Sequence, residues 1–84
     1  MASFINQFIE NYSIITLHGT KEIYVENFKS IISLTETEVI IKAKSEIISI
    51  GGEMLQMEYF NKNDIKISGK IHNLSLREAT EWVF

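Results

Sequence analysis

The chain has 84 residues, of which 45% are hydrophobic and 23% charged, and its formal net charge at pH 7 is -3. A chain of this length has material for only one core, so we expect a single domain over residues 1–84, with the composition of a globular protein. Its eight basic residues are scattered, which argues against a nucleic-acid partner, and the absence of cysteine excludes disulfides, thiolate zinc ligands and thiol nucleophiles.

The first predicted element is an N-terminal amphipathic helix. Apolar side chains recur there at helical spacing, and Ser3 is available as an N-cap. The predicted helix runs from Ser3 to about Asn11. Its apolar positions are Phe4, Ile5, Phe8, Ile9 and Tyr12.

From Ser13 onward apolar and polar residues alternate, and isoleucine, valine, threonine and tyrosine dominate, as in β-strands. Short turn segments separate the apolar runs, which predicts about seven strands. Connections this short join antiparallel neighbours, because parallel neighbours need a crossover of roughly a dozen residues or more. The predicted strands lie near Ile14 to His18, Glu22 to Val25, Ser30 to Leu34, Val39 to Ala43, Glu46 to Ile50, Leu55 to Tyr59, and Ile65 to Ile71, with Gly69 as a candidate break.

A second helix is predicted in the C-terminal stretch SLREATEWVF. Ser75 is followed three residues later by Glu78, the spacing of a capping box, in which each side chain satisfies a free amide at the helix start. The residues on its predicted apolar face are Leu76, Ala79, Trp82 and Val83.

The predicted fold class is all-β. We expect an antiparallel meander that forms a small sandwich or open barrel, with short terminal helices. The regular strand spacing also fits a repeat solenoid, but no side-chain pattern recurs along the chain.

Two adjacent glycines, Gly51 and Gly52, interrupt the alternating stretch IISIGGEMLQMEY. A phosphate-binding glycine loop needs further glycines, a lysine and a following helix, whereas here Glu53 follows and strand alternation resumes. The pattern favours a structural turn or a bulge, in which Gly51 or Gly52 adopts a positive φ between two strands.

Taken in order, the segments TLHG, IYVEN, TEVII, IISIGGEMLQM and IKISGKI resemble the YabP/YqfC family of sporulation proteins from endospore-forming bacteria. The likeness spans roughly Ser13 to Leu76. Family members often carry glycine at Ser30 and in the turn KSE, and an aromatic residue near Leu76, so the YabP-like and YqfC-like branches both stay open. The most specific portion is a ladder of apolar residues and glycines, Ile48, Ile50, Gly52, Leu55, Met57, Ile65, Ile67, Gly69 and Ile71.

The resemblance implies a non-catalytic protein made in the mother cell during sporulation and associated with spore envelope or coat assembly. We therefore expect a cytoplasmic protein, with the developing spore surface as a further location. The expected mode of action is that of an assembly or scaffold module, which contacts other proteins or further copies of itself as a homo-oligomer. No apolar run is long enough to cross a bilayer, while peripheral association with a membrane stays open.

Sequence patterns of catalysis and metal binding are weak. A metal site built from the two histidines, His18 and His72, would need a further ligand that converges with them in space, for which Glu22, Glu26 and Asp64 are the candidates. A polar residue on a strand face is the favoured interpretation of each histidine, and no G-x-S-x-G motif occurs. A domain this small also lacks the cleft in which a glycosidase pairs an acid with a base. We therefore expect no enzymatic activity, no cofactor and no metal. The carboxylates considered as such a pair are Glu36, Glu38, Glu46, Glu53, Glu58 and Asp64.

Alternation assigns most apolar residues to one face of the sheet, which is the predicted core. Its members are Ile15, Leu17, Ile23, Val25, Ile32, Leu34, Val39, Ile41, Ile48, Ile50, Leu55, Met57, Ile65 and Ile67.

The opposite face carries more apolar residues than a face in water normally does. We expect it to be covered either by the protein itself or by a protein partner, most simply a second copy. A different class of function, a β domain that binds a small apolar ligand or a carbohydrate, is the alternative. The residues of this candidate interaction surface are Ile14, Tyr24, Ile31, Ile40 and Ile47.

Overall fold

The computed structural model describes residues 12–79, which form six β-strands and no helix. The prediction of an antiparallel all-β fold is confirmed. The predicted helix from Ser3 to Asn11, and the end of the second predicted helix with Trp82 and Val83, lie outside the described residues. The strands are β1 (Ile14–His18), β2 (Glu22–Glu26), β3 (Ser30–Leu34), β4 (Glu38–Lys42), β5 (Glu46–Asn61) and β6 (Asp64–Glu78).

All six strands belong to one antiparallel sheet in the order β1-β2-β6-β5-β4-β3. Its centre is the long hairpin of β5 and β6, whose two ends have different neighbours. We call β1, β2, residues 56–61 of β5 and residues 64–68 of β6 the tip layer. We call β3, β4, residues 46–51 of β5 and residues 73–78 of β6 the base layer.

The connection between β2 and β3 requires this sheet to curl. The two strands are four places apart in the sheet order, which is about 19 Å in a flat sheet. The four backbone steps from the end of β2 to the start of β3 reach at most about 14 Å. Backbone hydrogen bonds from Phe28 N–H to Asn63 O (3.0 Å) and from Lys29 N–H to Lys42 O (2.8 Å) tie this connection to both layers. The layers therefore face each other, and β2 pairs with β6 where a simple meander would pair it with β3.

One cluster of buried apolar residues fills the space between the layers. In the tip layer Ile23 lies opposite Ile67, and in the base layer Ile41 lies opposite Ile48. Burying each such side chain contributes about 1.5 to 3 kcal/mol relative to leaving it exposed. The cluster consists of Ile23, Val25, Phe28, Val39, Ile41, Ala43, Ile48, Ile50, Leu55, Ile65, Ile67 and Ile71.

The predicted core differs from this cluster on the two outermost strands. Leu17 on β1 and Leu34 on β3 are about half exposed, because each lies on an edge strand of its layer. On β3 the pairing register shifts between Ile31 and Ser33. As a result Ile31 packs against the core and Ile32 is exposed, the reverse of the prediction.

The predicted turn at Gly51 and Gly52 is wrong, because β5 continues through both residues and neither has a positive φ. The bulge alternative agrees with the structure, since the register with β6 shifts between the two glycines. A β-carbon on Gly52 would collide with the backbone carbonyl of Lys70, whereas one on Gly51 would meet only the side chain of Asn73. Gly52 is therefore needed for the close approach of two backbones.

Positive φ occurs further along the same bend. Met54 has φ of 54° and Gly69, opposite it in the hairpin, has φ of 139°. A β-carbon on Gly69 would lie 2.7 Å from the carbonyl oxygen of Met54. Gly69 therefore bends β6 without ending it, and the hairpin passes from the base layer to the tip layer at this point.

The predicted capping box at Ser75 and Glu78 is also wrong. Both residues belong to β6, where Ser75 pairs with Ser49 and Glu78 pairs with Glu46 of β5. Pairing with β5 gives this segment backbone hydrogen-bond partners along one edge, and Leu74 packs against the core. Tertiary pairing therefore overrides the local helix signal.

The close approach at Gly52 generates a test of the bend. We expect Gly52→Ala to lower the free energy of unfolding by about 1 to 3 kcal/mol, because the added methyl group overlaps a backbone carbonyl. The matched control Gly51→Ala should change it by less than about 1 kcal/mol, since the Asn73 side chain can rotate away. Urea denaturation measures both values. Equal effects of the two substitutions would contradict this account of the bend.

Candidate interaction surface

The five residues of the predicted interaction surface do not form one surface. Ile14 and Tyr24 lie on the outer face of the tip layer, whereas Ile40 and Ile47 lie on the outer face of the base layer. Ile31 packs against the core, because of the register shift in β3. Facing layers turn their outer faces away from each other, so no single partner surface contacts all five.

Burial also separates these five residues. Ile14 is 42% exposed, whereas Ile47 is only 1% exposed. Tyr24 and Ile40 are half-buried. The burial of Ile47 agrees with the first of the two alternatives expected for this face, cover by the protein itself, whereas the exposure of Ile14 leaves a partner as the alternative there. Ile31 does not belong to the face, because it packs against the core.

Exposed apolar side chains lie along strand edges and at the bend. Leu34 is 49% exposed at the end of β3, and Tyr59 is 59% exposed on β5. The alternation of apolar and polar residues alone would place both side chains on the inner face of the sheet. Their exposure follows from the order in which the strands pair. Large apolar residues that are exposed in the described range are Tyr12, Ile14, Leu17, Ile32, Leu34, Met54, Tyr59, Phe60 and Leu76.

The tip part of β5 has a free edge. β4 pairs with residues 47–51 of β5, and among the described strands only β6 pairs with residues 56–59. Leu55 N–H donates to Glu36 O (2.8 Å) on the side away from β6. Alternate residues of an antiparallel strand direct their backbone groups to the same side. Met57 and Tyr59 therefore direct theirs to the free edge.

A groove follows this free edge on the inner side of the sheet. Its volume is about 350 Å³, and a second cavity of about 190 Å³ shares Glu36 and Leu55 with it. We call the two cavities together the β5 groove. One wall comes from the tip layer and the other from the end of β3 and the turn after it, so the groove is an open seam between the layers. It is lined by Leu34, Thr35, Glu36, Met54, Leu55, Gln56, Met57 and Tyr59.

A similar but smaller groove lies beside β6. Ile71 N–H donates to Thr20 O (2.9 Å), as Leu55 N–H does to Glu36 O in the β5 groove. The volume of this β6 groove is about 180 Å³, and its lining includes the polar side chains of His72 and Asn73. The two long strands therefore have related edges of different chemistry.

Aromatic rings form a short row on the outer face of the tip layer. The ring of Tyr24 lies between His18, at a centroid distance of 4.9 Å, and Phe60, at 5.9 Å. The Tyr24 and Phe60 rings are nearly parallel, with 4° between their planes. Stacking of this kind links β1, β2 and β5 across the layer.

A lysine between two carboxylates lies beside these rings. Lys66 Nζ is 3.5 Å from Glu58 Oε1 and 3.6 Å from Glu22 Oε2. The Glu58 carboxylate is the main cause that raises the pKa of Lys66 above its ordinary value of 10.5. Two carboxylates share one ammonium group, so this cluster carries excess negative charge.

The histidines considered as ligands each contact one carboxylate. His18 Nδ1 is 3.4 Å from Glu22, and His72 Nε2 is 3.5 Å from Glu53. Within residues 12–79, no three histidine or acidic side chains come together as metal ligands would. No helix in the same range has the length and apolar character needed to span a membrane.

Comparisons with known proteins connect the chain to a protein family. The model of the YabP family matches residues 10–81 of the 84-residue chain. Neither the curated proteins nor the solved structures contain a significant match.

The burial of Ile47 generates a prediction about the base layer. We expect Ile47→Ala to lower the free energy of unfolding by about 2 to 5 kcal/mol, because it leaves a cavity. Ile14→Ala, the same change at an exposed position, should cost less than about 1 kcal/mol. Thermal or urea unfolding measures the loss of stability in both variants. A tolerated Ile47→Ala would show that this side chain is not tightly packed, in contradiction to its burial.

The Lys66 cluster generates a prediction about pH. Because folding raises the pKa of Lys66, the protonated lysine stabilises the folded state, and this contribution is complete below pH 10.5. The contribution is lost as the pH rises through the pKa of the folded state. We expect Lys66→Met to lower the melting temperature at neutral pH, with a difference from wild type that narrows above pH 10.5. Exposed Lys29→Met is the control. A difference in melting temperature between Lys66→Met and wild type that does not change with pH would rule out the lysine's charge as the source of the stabilisation.

Proposed function

The chain belongs to the YabP family, and from that premise we propose that it acts in sporulation as a non-enzymatic assembly module. Membership of this family suggests a sporulation-related role. In the proposed role, the protein joins components of the spore envelope or coat through direct protein contacts. It works in the cytoplasm of the mother cell, at the surface of the developing spore.

The observation that supports this proposal is the edge of β5. Exposed apolar side chains, Leu34 and Tyr59 among them, lie beside backbone groups that no described strand pairs. Unpaired strand edges and apolar patches are features that proteins normally protect or use for binding. A small domain that carries both along one seam is suited to contact another protein.

The proposal is tested in sporulating cells of the source bacterium. We expect a fluorescent fusion to the full chain to collect around the developing spore. Deletion of the gene should give spores whose envelope or coat layers are incomplete by electron microscopy. A fusion that stays diffuse, together with normal layers in the deletion strain, would refute the assembly role.

The outer face of the tip layer favours a second candidate function, carbohydrate binding. Phe60 is 51% exposed and stacks on Tyr24. Lys66 Nζ, which contacts the Glu58 carboxylate, lies 6.0 Å from both ring centroids. Sugar rings bind where aromatic surface lies beside hydrogen-bonding groups. Peptidoglycan fragments that raise the melting temperature of wild type, but not of Phe60→Ser, would support this candidate. The absence of any rise would remove it.

A further inference from the structure

We propose that the free edge of β5 binds an extended strand of a partner protein, with apolar side chains at alternate positions and basic side chains between them. This inference rests on the proposed function and specifies its site and the chemistry of its partner. The added strand would lengthen the tip layer and close the open seam between the layers.

The backbone of β5 supplies the first part of the site. Met57 and Tyr59 each direct an N–H donor and a C=O acceptor away from β6, and no described strand on that side pairs with these backbone groups. A strand that joins a sheet edge hydrogen-bonds to such groups at a spacing of about 4.8 Å. The edge is regular from residue 56 to residue 59, because the register shifts of β5 lie on either side of this range.

The β5 groove supplies the second part. Met57 and Tyr59 point their side chains into it, and Leu34 forms the facing wall. Neighbouring strands place their side chains on the same two faces, so alternate side chains of an added strand would enter the groove. The groove offers mainly apolar contacts, which selects valine, isoleucine or leucine at these positions.

The charges around the edge supply the third part. Glu36 lines both cavities of the β5 groove, and no basic side chain of residues 12–79 lines either one. On the outer face of the same edge, Glu58 shares Lys66 with Glu22. Side chains of an added strand that point outward would therefore meet excess negative charge, which favours lysine or arginine.

The same charges argue against a second copy as the occupant. Symmetric pairing of two β5 edges would bring Glu36 and Glu58 of both copies together. Like charges that face each other across strands are destabilising. A partner strand with basic side chains would instead form a favourable charge interaction with each carboxylate.

The first experiment titrates the full chain with short synthetic peptides and records amide chemical shifts by NMR. The probe is a peptide in which valine alternates with lysine, and its control carries glutamate in place of lysine. We expect the lysine peptide to shift the amides of Met57 and Tyr59 and to bind at least about tenfold more tightly than the control, a difference of about 1.4 kcal/mol. Equal affinities would overturn the charge assignment.

Methylated peptides test the backbone pairing. Methylation of alternate amide nitrogens removes the donors along one edge of the peptide. We expect methylation along one edge to abolish binding and methylation along the other edge to leave it unchanged. If both methylated peptides bind like the parent, strand addition is wrong.

Matched variants place the site on the protein. Leu34→Ser and Leu17→Ser replace leucines that are 49% and 51% exposed, but only Leu34 lines the β5 groove. We expect Leu34→Ser to weaken the lysine peptide about tenfold and Leu17→Ser to leave it unchanged. A melting temperature close to that of wild type would show that each variant is folded. If the two variants bind equally, the β5 groove is not the site.

Three further outcomes separate this proposal from others. A wild-type dimer that Leu34→Ser converts to monomer would identify a second copy as the occupant and overturn the basic partner. In sporulating cells, a Leu34→Ser fusion that collects around the spore normally would overturn the site while the assembly role stands. A wild-type fusion that never collects there would overturn the assembly role itself.

Discussion

The pairing of β5 with β6 is the interaction on which the rest of the structure depends. β2 joins the sheet through β6 and β4 joins it through β5, so each outer hairpin is held by one strand of the central pair. The central pair runs through both layers and bends between them. Without it, neither layer has a facing partner, and the apolar cluster between them is exposed to water.

The bend has a direct consequence for the proposed binding edge. Where the hairpin crosses from the base layer to the tip layer, β5 leaves β4 and continues with β6 alone among the described strands. Its free edge and the seam beside it are therefore products of the fold's central feature. The glycines of the bend, Gly52 and Gly69, act on this edge by setting the backbone geometry, although neither lines the β5 groove.

Much of the fold could be predicted from short-range patterns. The bounds of β1 and β3 agree with the predicted strands, because each is a brief alternating run between clear turn signals. The continuation of β5 through Gly51 and Gly52 could not be predicted in this way, since adjacent glycines suit both a turn and a close backbone approach. The helix signal at Ser75 failed because the pairing partner is distant in sequence.

The candidate site was harder to predict than the fold. Alternation assigns a residue to a face, but the exposure of Leu34 depends on which strands become neighbours. Ile47 is buried although it lies on an outer face, and alternation does not reveal this burial. The register shift near Ile31 moves a whole side chain between faces, and no local pattern marks it. The free edge of β5 required the strand order.

Amide hydrogen exchange on the native protein tests the central claim most directly. A bent hairpin with a free β5 edge predicts alternation along four consecutive residues. The amides of Gln56 and Glu58, which point toward β6, should exchange slowly, and those of Met57 and Tyr59 should exchange quickly. Uniform protection of all four amides, or rapid exchange of all four, would contradict the account.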